Sequence, residues 1–218
     1  MIFLFIFETV EKRTKYQLTF SKFVPECFSY LLAELLVESG VHFKIVKGRK
    51  TKWGDFRPRN LNGKPQITVN GDLNPYAFLI TTLHEFAHLH TFQQVGLRAA
   101  PHGAEWKQNF HKLISIIIDH PELPSTLRTA LNKSFSSLKA SSCTDIQLSR
   151  VLASFDVADP EVLPLENLPK NSKFALNNRT FLKGDKRRTR FECIELSSNR
   201  TYLVHLMAKV QHIKEDGK

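Results

Sequence analysis

The stretch NPYAFLITTLHEFAHLHTFQQVG, Asn74 to Gly96, decides how the rest of the chain is read. Asn74 is a good helix N-cap and Pro75 suits a first helical turn. No glycine or proline follows until Gly96, so the spacing predicts one long helix. Residues four apart on a helix share a face, whereas residues two apart are turned by roughly 200°. His84 and His88 can therefore hold one metal ion together. His90 points toward the side carrying Leu83, Phe86 and Ala87 and reads as a packed or partly exposed histidine. Glu85 lies next to His84 around the helix and within a turn of His88, where its carboxylate can reach a water on the metal without binding the metal. The pattern is HExxH.

Two neutral imidazoles and a third ligand suit zinc, a Lewis acid that lowers the pKa of a bound water and polarises a carbonyl while a carboxylate shuttles the proton. The third ligand must come from elsewhere. The metzincin continuation fails, because Thr91 stands where its glycine belongs and Gln94 where its third histidine would be. His102 is the best candidate: it follows a loop that lets the chain reverse, between Pro101 and Gly103, at the start of the next helix. Glu105 is the rival, since some zincins take a glutamate from the following helix. His111 lies about half a turn around that helix from His102 and faces elsewhere. His42, His120, His205 and His212 have no partners at ligand spacing.

Working outward, FVPECFSYLLAELLVESG carries apolar residues at helical spacing and stops at Gly40. VHFKIVKG, TKWGDFRP and KPQITVNG alternate apolar and polar residues between Gly, Asn and Pro, and predict a small antiparallel sheet. After the long helix, HGAEWKQNFHKLISIIID and PSTLRTALNKSF predict two more helices. Residues 136–169 are rich in Ser, Asp and Pro and read as a linker, although IQLSRVLASF has enough apolar periodicity for a turn or two of helix. Residues 170–213 show period-two alternation and predict a small all-β module. The expected fold class is α+β.

The opening MIFLFIF is too short to span a bilayer and lacks the basic segment and cleavage site of a secretory signal. It reads as a buried strand or as an extension from a misplaced start codon, and residues 1–15 are set apart as an N-terminal extension. The three cysteines, Cys27, Cys143 and Cys193, are odd in number and form no CxxC pair. That favours a reducing compartment, hence a cytoplasmic location and no membrane partner, and excludes a disulfide framework or zinc finger. The formal charge of +10 favours an anionic partner, nucleic acid first. KIVKGRKTKWGDFRPR and KGDKRRTR concentrate that charge near Phe43, Trp53, Phe56, Phe181 and Phe191, so basic groups on phosphates and rings under bases would suit single-stranded or distorted DNA. Equally, strand edges and hairpin tips carry lysine and arginine to stay soluble.

TKWGDFRP, ITVNGDLNPYAFLITTLHEFAHLHTF and PHGAEWKQNFHKL together resemble the SprT-like (SprT/Spartan-related) zinc metalloproteases. The likeness runs from Tyr16 to Asp119. It rests on a Trp-Gly strand (Trp53, Gly54), the strand-then-long-helix order, HExxH, and a later His-Gly followed by an aromatic (His102, Gly103, Trp106). The resemblance implies a zincin-like domain over residues 16–135, zinc bound by His84, His88 and His102, Glu85 as general base, and a substrate strand lying along the sheet edge near Trp53 and Gly54. Two departures stand out. The C-terminal module keeps one cysteine, Cys193, where such proteins often carry a zinc ribbon, and no extended tail of interaction motifs follows. The expectation is a compact, bacterial-type zinc endopeptidase acting on protein substrates, DNA-associated ones among them, by Glu-assisted attack of a zinc-bound water. The rival expectation is a DNA-binding module with a structural metal and no protease activity. The sequence is silent on oligomeric state.

Overall fold

A computed structural model describes residues 2–59, 61–98, 100–136 and 146–213. The chain is of mixed α+β class and divides into two compact units, Met1–Asp156 and Val157–Lys218. That division falls inside the 136–169 segment read above as linker.

The first unit is built around a helix buried on every side, α3 (Pro75–Val95). Every residue from Ala77 to Ala87 is buried, the mark of a helix enclosed by other elements rather than lying on a surface. Its start follows from local chemistry: the Asn74 side chain accepts from the Ala77 N–H at 2.9 Å, and Pro75 sits in the first turn. Gly96 ends it at φ 66° and ψ −149°, a positive-φ backbone that favours glycine. Before it come α1 (Ile2–Phe20), α2 (Ser29–Ser39) and three strands, β1 (His42–Val46), β2 (Gly54–Arg57) and β3 (Gln66–Asn70). After it come α4 (Ala104–Ile118), α5 (Ser125–Ser136) and α6 (Ile146–Ala153).

The opening residues are helical, which corrects the expectation of a strand. No proline or glycine interrupts Ile2–Phe20, so a helix anchored by Tyr16 and Phe20 on the core propagates back through the apolar run. Arg13 fastens it to α2 through Tyr30 at 3.4 Å and Glu34 at 3.9 Å. The sheet is also corrected. It is mixed, with the order β1-β3-β2; β1 runs parallel to β3 and β2 antiparallel. Alternation sets which face of a strand is buried and leaves its direction open. Direction here comes from the 47–53 connection, which carries the chain past the end of β3 to its far side. Asn70, buried at the end of β3, holds that connection: its amide donates to the Arg49 and Lys52 carbonyls at 3.1 and 3.0 Å and accepts from Arg49 Nε at 2.8 Å. Arg49 also donates to Thr68 Oγ1 at 3.0 Å, so one of the basic residues of this segment serves the fold.

Within the stretch read as linker, α6 inserts Leu148 and Leu152 into the core. Asn74 donates to the Leu152 carbonyl at 2.8 Å and to Asp156 at 2.7 Å, so the residue that starts α3 also binds the end of α6. The periodicity of IQLSRVLASF allowed a turn or two of helix here, and beside the two buried leucines Val151 is partly buried against the same core. Cys143 and the rest of 137–145 lie outside the described residues.

The second unit is an antiparallel six-stranded sheet in the order β4-β9-β5-β6-β7-β8, comprising β4 (Val162–Pro164), β5 (Lys173–Leu176), β6 (Arg179–Arg187), β7 (Arg190–Glu195), β8 (Thr201–His205) and β9 (Lys209–Ile213). It begins at Val162, ahead of the expected start at 170. Phe181 and Phe191 are buried in it, so they cannot stack on bases. Lys183 is buried too: its ammonium donates to the Leu165 carbonyl at 2.8 Å and to that of Leu168, and lies 3.9 Å from the Phe191 ring centroid.

Replacing Asn70 by alanine strands two loop carbonyls and part of the Arg49 guanidinium away from water. Asn70→Ala is expected to cost about 2 kcal/mol or more, read as a lower urea midpoint at unchanged m-value.

Candidate metal centre

Three side chains converge where α3 meets the turn before α4. The Nε2 atoms of His84, His88 and His102 form a nearly equilateral triangle, with sides of 3.2 Å (His84–His88), 3.2 Å (His88–His102) and 3.1 Å (His84–His102). A tetrahedral ion bonded at about 2.0–2.1 Å to three nitrogens holds them about 3.3–3.4 Å apart, so the triangle has the dimensions of a metal site. These three are also the one group of metal-capable side chains found among the described residues. Glu105, the rival third ligand, is exposed and outside the group, as is His111, which packs on Phe135 at 4.9 Å. His90 stands apart beside Phe86, and His120 packs on Phe28.

Each ligand is held in place by local structure. His84 and His88 follow from the i, i+4 spacing on α3. His102 is delivered by a four-residue turn, Ala100-Pro101-His102-Gly103, closed by the Gly103 N–H on the Ala100 carbonyl at 3.0 Å. Proline in second place and a left-handed third residue are the signature of a type II turn, and His102 accordingly sits at φ 54°. A non-glycine residue there stores strain of order 1 kcal/mol, which persists because the turn and helix around it fix the backbone. A polar clasp, buried at Asn109 and Thr91 and exposed at Gln94, holds α4 against α3: Asn109 and Gln94 exchange amide bonds of 2.9 and 3.3 Å, and Asn109 donates at 3.0 Å to Thr91, which donates to the Ala87 carbonyl. Thr91 and Gln94, the two positions that break the metzincin pattern, have this task instead. The sequence reading missed the clasp, although a lone Asn109 within the apolar stripe Trp106, Phe110, Leu113, Ile114 and Ile117 was its signal.

Behind the triangle, Trp106 packs on all three imidazoles, 4.6 Å from His84, 5.3 Å from His88 and 4.6 Å from His102. Phe56 of β2 lies parallel to His88 at 6.4 Å. Glu85 is buried, and its carboxylate accepts the Phe56 main-chain N–H. Gly54 makes room for it, since a Cβ there would stand 2.4 Å from Glu85 Oε1. Trp53, just before the strand, is 44% exposed.

Burial dominates the electrostatics. It lowers His84 to about 2 and His88 to about 4, and lowers His102 as well, so at neutral pH all three imidazoles are unprotonated and need shed no proton to bind a cation. Burial, with Asp55 adding to it, raises Glu85 to about 8 against the opposing pull of Arg49, Lys52 and the Phe56 N–H.

Comparison of the chain with protein-family models, with curated proteins and with solved structures found no match. Among the described residues no helix is long and apolar enough to cross a membrane.

The shifts set a pH dependence for the metal-free protein. An unfolded histidine takes up a proton near 6.5, while the buried imidazoles refuse it until far lower, so their contribution is lost as pH falls from 6.5 through about 4. Glu85 works in the opposite sense: its contribution is present below 4.5 and lost as pH rises through about 8. Three imidazoles outweigh one carboxyl in acid. Thermal melts in chelator are expected to peak near neutrality, fall steeply toward pH 4 and fall more gently toward pH 8. A flat profile would contradict the burial of these groups.

Proposed function

We propose that the chain is a zinc-dependent endopeptidase with a zincin-like first unit of SprT type. The observation that carries this reading is the triangle of three neutral imidazole nitrogens with a buried carboxylate on the same helix. His84, His88 and His102 would hold the ion, and three nitrogen ligands from a d10-tolerant, four-coordinate set favour zinc over the oxygen-seeking cations. When bound, zinc supplies Lewis acidity, drawing the pKa of a coordinated water toward neutrality and polarising a scissile carbonyl.

The chain's own residues do the rest. Beside a cation held by the three histidines, the buried Glu85 would favour its ionised form over the neutral form that burial favours without it. The carboxylate would then receive the proton of the attacking water and return it to the leaving amine. The Phe56 N–H and the space at Gly54 hold its carboxylate in one place. β2 is an edge strand, and the Asn70 N–H on the Trp53 carbonyl turns the polar groups of Trp53 toward β3. By strand alternation those of Gly54 and Phe56 face away from β3. The Phe56 N–H is taken by Glu85, which leaves the Gly54 N–H and the Gly54 and Phe56 carbonyls for an extended substrate to pair with alongside Glu85. Such main-chain pairing suits unfolded or locally extended protein substrates, DNA-associated proteins among them.

A purely structural metal, the alternative for a DNA-binding module, calls for a fourth protein ligand. Among the described residues no further His, Cys, Asp or Glu joins the three histidines. The DNA contribution is also narrowed by what the basic residues already bind: Lys52 and Arg57 pair with Asp55 at 2.7 and 2.9 Å, Arg187 pairs with Glu192 at 2.9 Å, and Lys170 with Asp185 at 2.5 Å.

Casein cleavage by the purified protein, with and without chelator, tests the reading. Chelation is expected to abolish cleavage and zinc to restore it; Glu85→Gln is expected to retain one zinc per chain yet lose at least 10²-fold in rate. Cleavage that survives zinc removal would defeat the proposal. Gly54→Ala, whose methyl displaces the Glu85 carboxylate, is expected to lose about 10²-fold in turnover with zinc content unchanged, measured by metal analysis beside the same assay.

A further inference from the structure

We propose that Trp106 is a positioning residue that closes one face of the imidazole triangle, so that an ion held by the three histidines can gain its remaining ligand only from the opposite face. The inference rests on reading those histidines as a metal centre, and it adds the direction from which the centre is reached.

Six ring separations fix the geometry up to reflection. The imidazole centroids lie 4.9, 5.0 and 4.9 Å apart, and the indole lies 4.6, 5.3 and 4.6 Å from the same three rings. One point on each side of the imidazole plane satisfies these distances. It lies within about 1 Å of the triangle's three-fold axis and about 4 Å from its plane, a van der Waals separation. The Nε2 atoms are closer together than the ring centroids, so the rings point inward toward the axis. An ion about 2.0–2.1 Å from each nitrogen sits within roughly 1 Å of the nitrogen plane, and a fourth ligand lies about 2 Å further along the axis. On the indole side that position falls inside the ring. Only the far side is left.

The choice of residue fits the task. Trp106 is 1% exposed, and Phe110 stacks behind it at 5.0 Å and 12°. Its Nε1 is buried without a hydrogen-bond partner. A leucine or phenylalanine at this stripe of α4 would fill core without orphaning an N–H; the indole's breadth lets one side chain touch all three ligands. Asn109, less than one turn on, clasps α4 to α3 and so fixes the height of the indole over the triangle. Removing the ring would open a second apex on the three-fold axis, where solvent could raise the ion from four ligands to five.

Cobalt(II) is the probe, because its visible absorption reports coordination number: intense for four ligands, several-fold weaker for five. The full-length chain is stripped with chelator and reloaded with cobalt. Wild type is expected to bind one ion per chain with the intense four-coordinate band. Trp106→Ala is expected to bind one ion with a several-fold weaker band, and Trp106→Phe to retain the intense band. An unchanged band in Trp106→Ala, or a weak band in wild type, overturns the proposal and leaves the metal centre standing. Failure of wild type to bind cobalt overturns the metal centre and this proposal with it. Should Trp106→Ala not fold, Trp53→Phe leaves Trp106 as the sole indole of the two in the chain. Its emission is then expected to be quenched several-fold on cobalt loading, and unquenched emission overturns the proposal.

Discussion

Three neutral imidazoles bring their Nε2 atoms to within 3.1–3.2 Å of one another, and that convergence is the constraint around which the first unit is organised. The surrounding structure fixes all three rings in this arrangement. A long helix enclosed on every side supplies two of them at one rung. A strained turn supplies the third, and a reciprocal amide pair between Gln94 and Asn109 keeps the two helices from sliding apart. The mixed sheet serves the same end, since its edge strand lays Gly54 and Phe56 against the carboxylate of Glu85.

The basic character of the chain has a more local meaning than its net charge suggests. Arg49 is spent on β3, Lys52 and Arg57 flank Asp55, and Lys183 lies inside the second sheet on backbone carbonyls. Arg49 and Lys52 also moderate the burial that raises Glu85. A positive field at the edge of a buried acid tunes that acid as well as attracting an anion.

Much of the site was legible in the sequence because helical periodicity is a short-range rule. Asn74, Pro75 and Gly96 bracket α3, and the i, i+4 relation pairs His84 with His88 without reference to anything distant. His102 was legible through its neighbours, a proline and a glycine that define a turn. What escaped was long-range. The direction of β1 depends on where a connection crosses, the place of α6 depends on two leucines joining the core and on the bond of Asn74 to the Leu152 carbonyl across 78 residues, and the inward turn of Phe181, Lys183 and Phe191 depends on the sheet as a whole. Trp106 and Asn109 were visible as an aromatic and a polar residue on one apolar stripe, yet their partners on α3 could not be read from spacing within α4.

The left-handed turn that carries His102 belongs to neither helix, and this has a consequence for assembly. Until α4 docks on α3, the chain offers a two-imidazole rung, a feeble competitor for a scarce transition metal in a cell. Nascent or damaged copies in which the two helices have come apart therefore lack the complete centre, and under the proposed reading they are inert toward neighbouring chains. On that reading, competence would be conferred only once α4 is seated on α3.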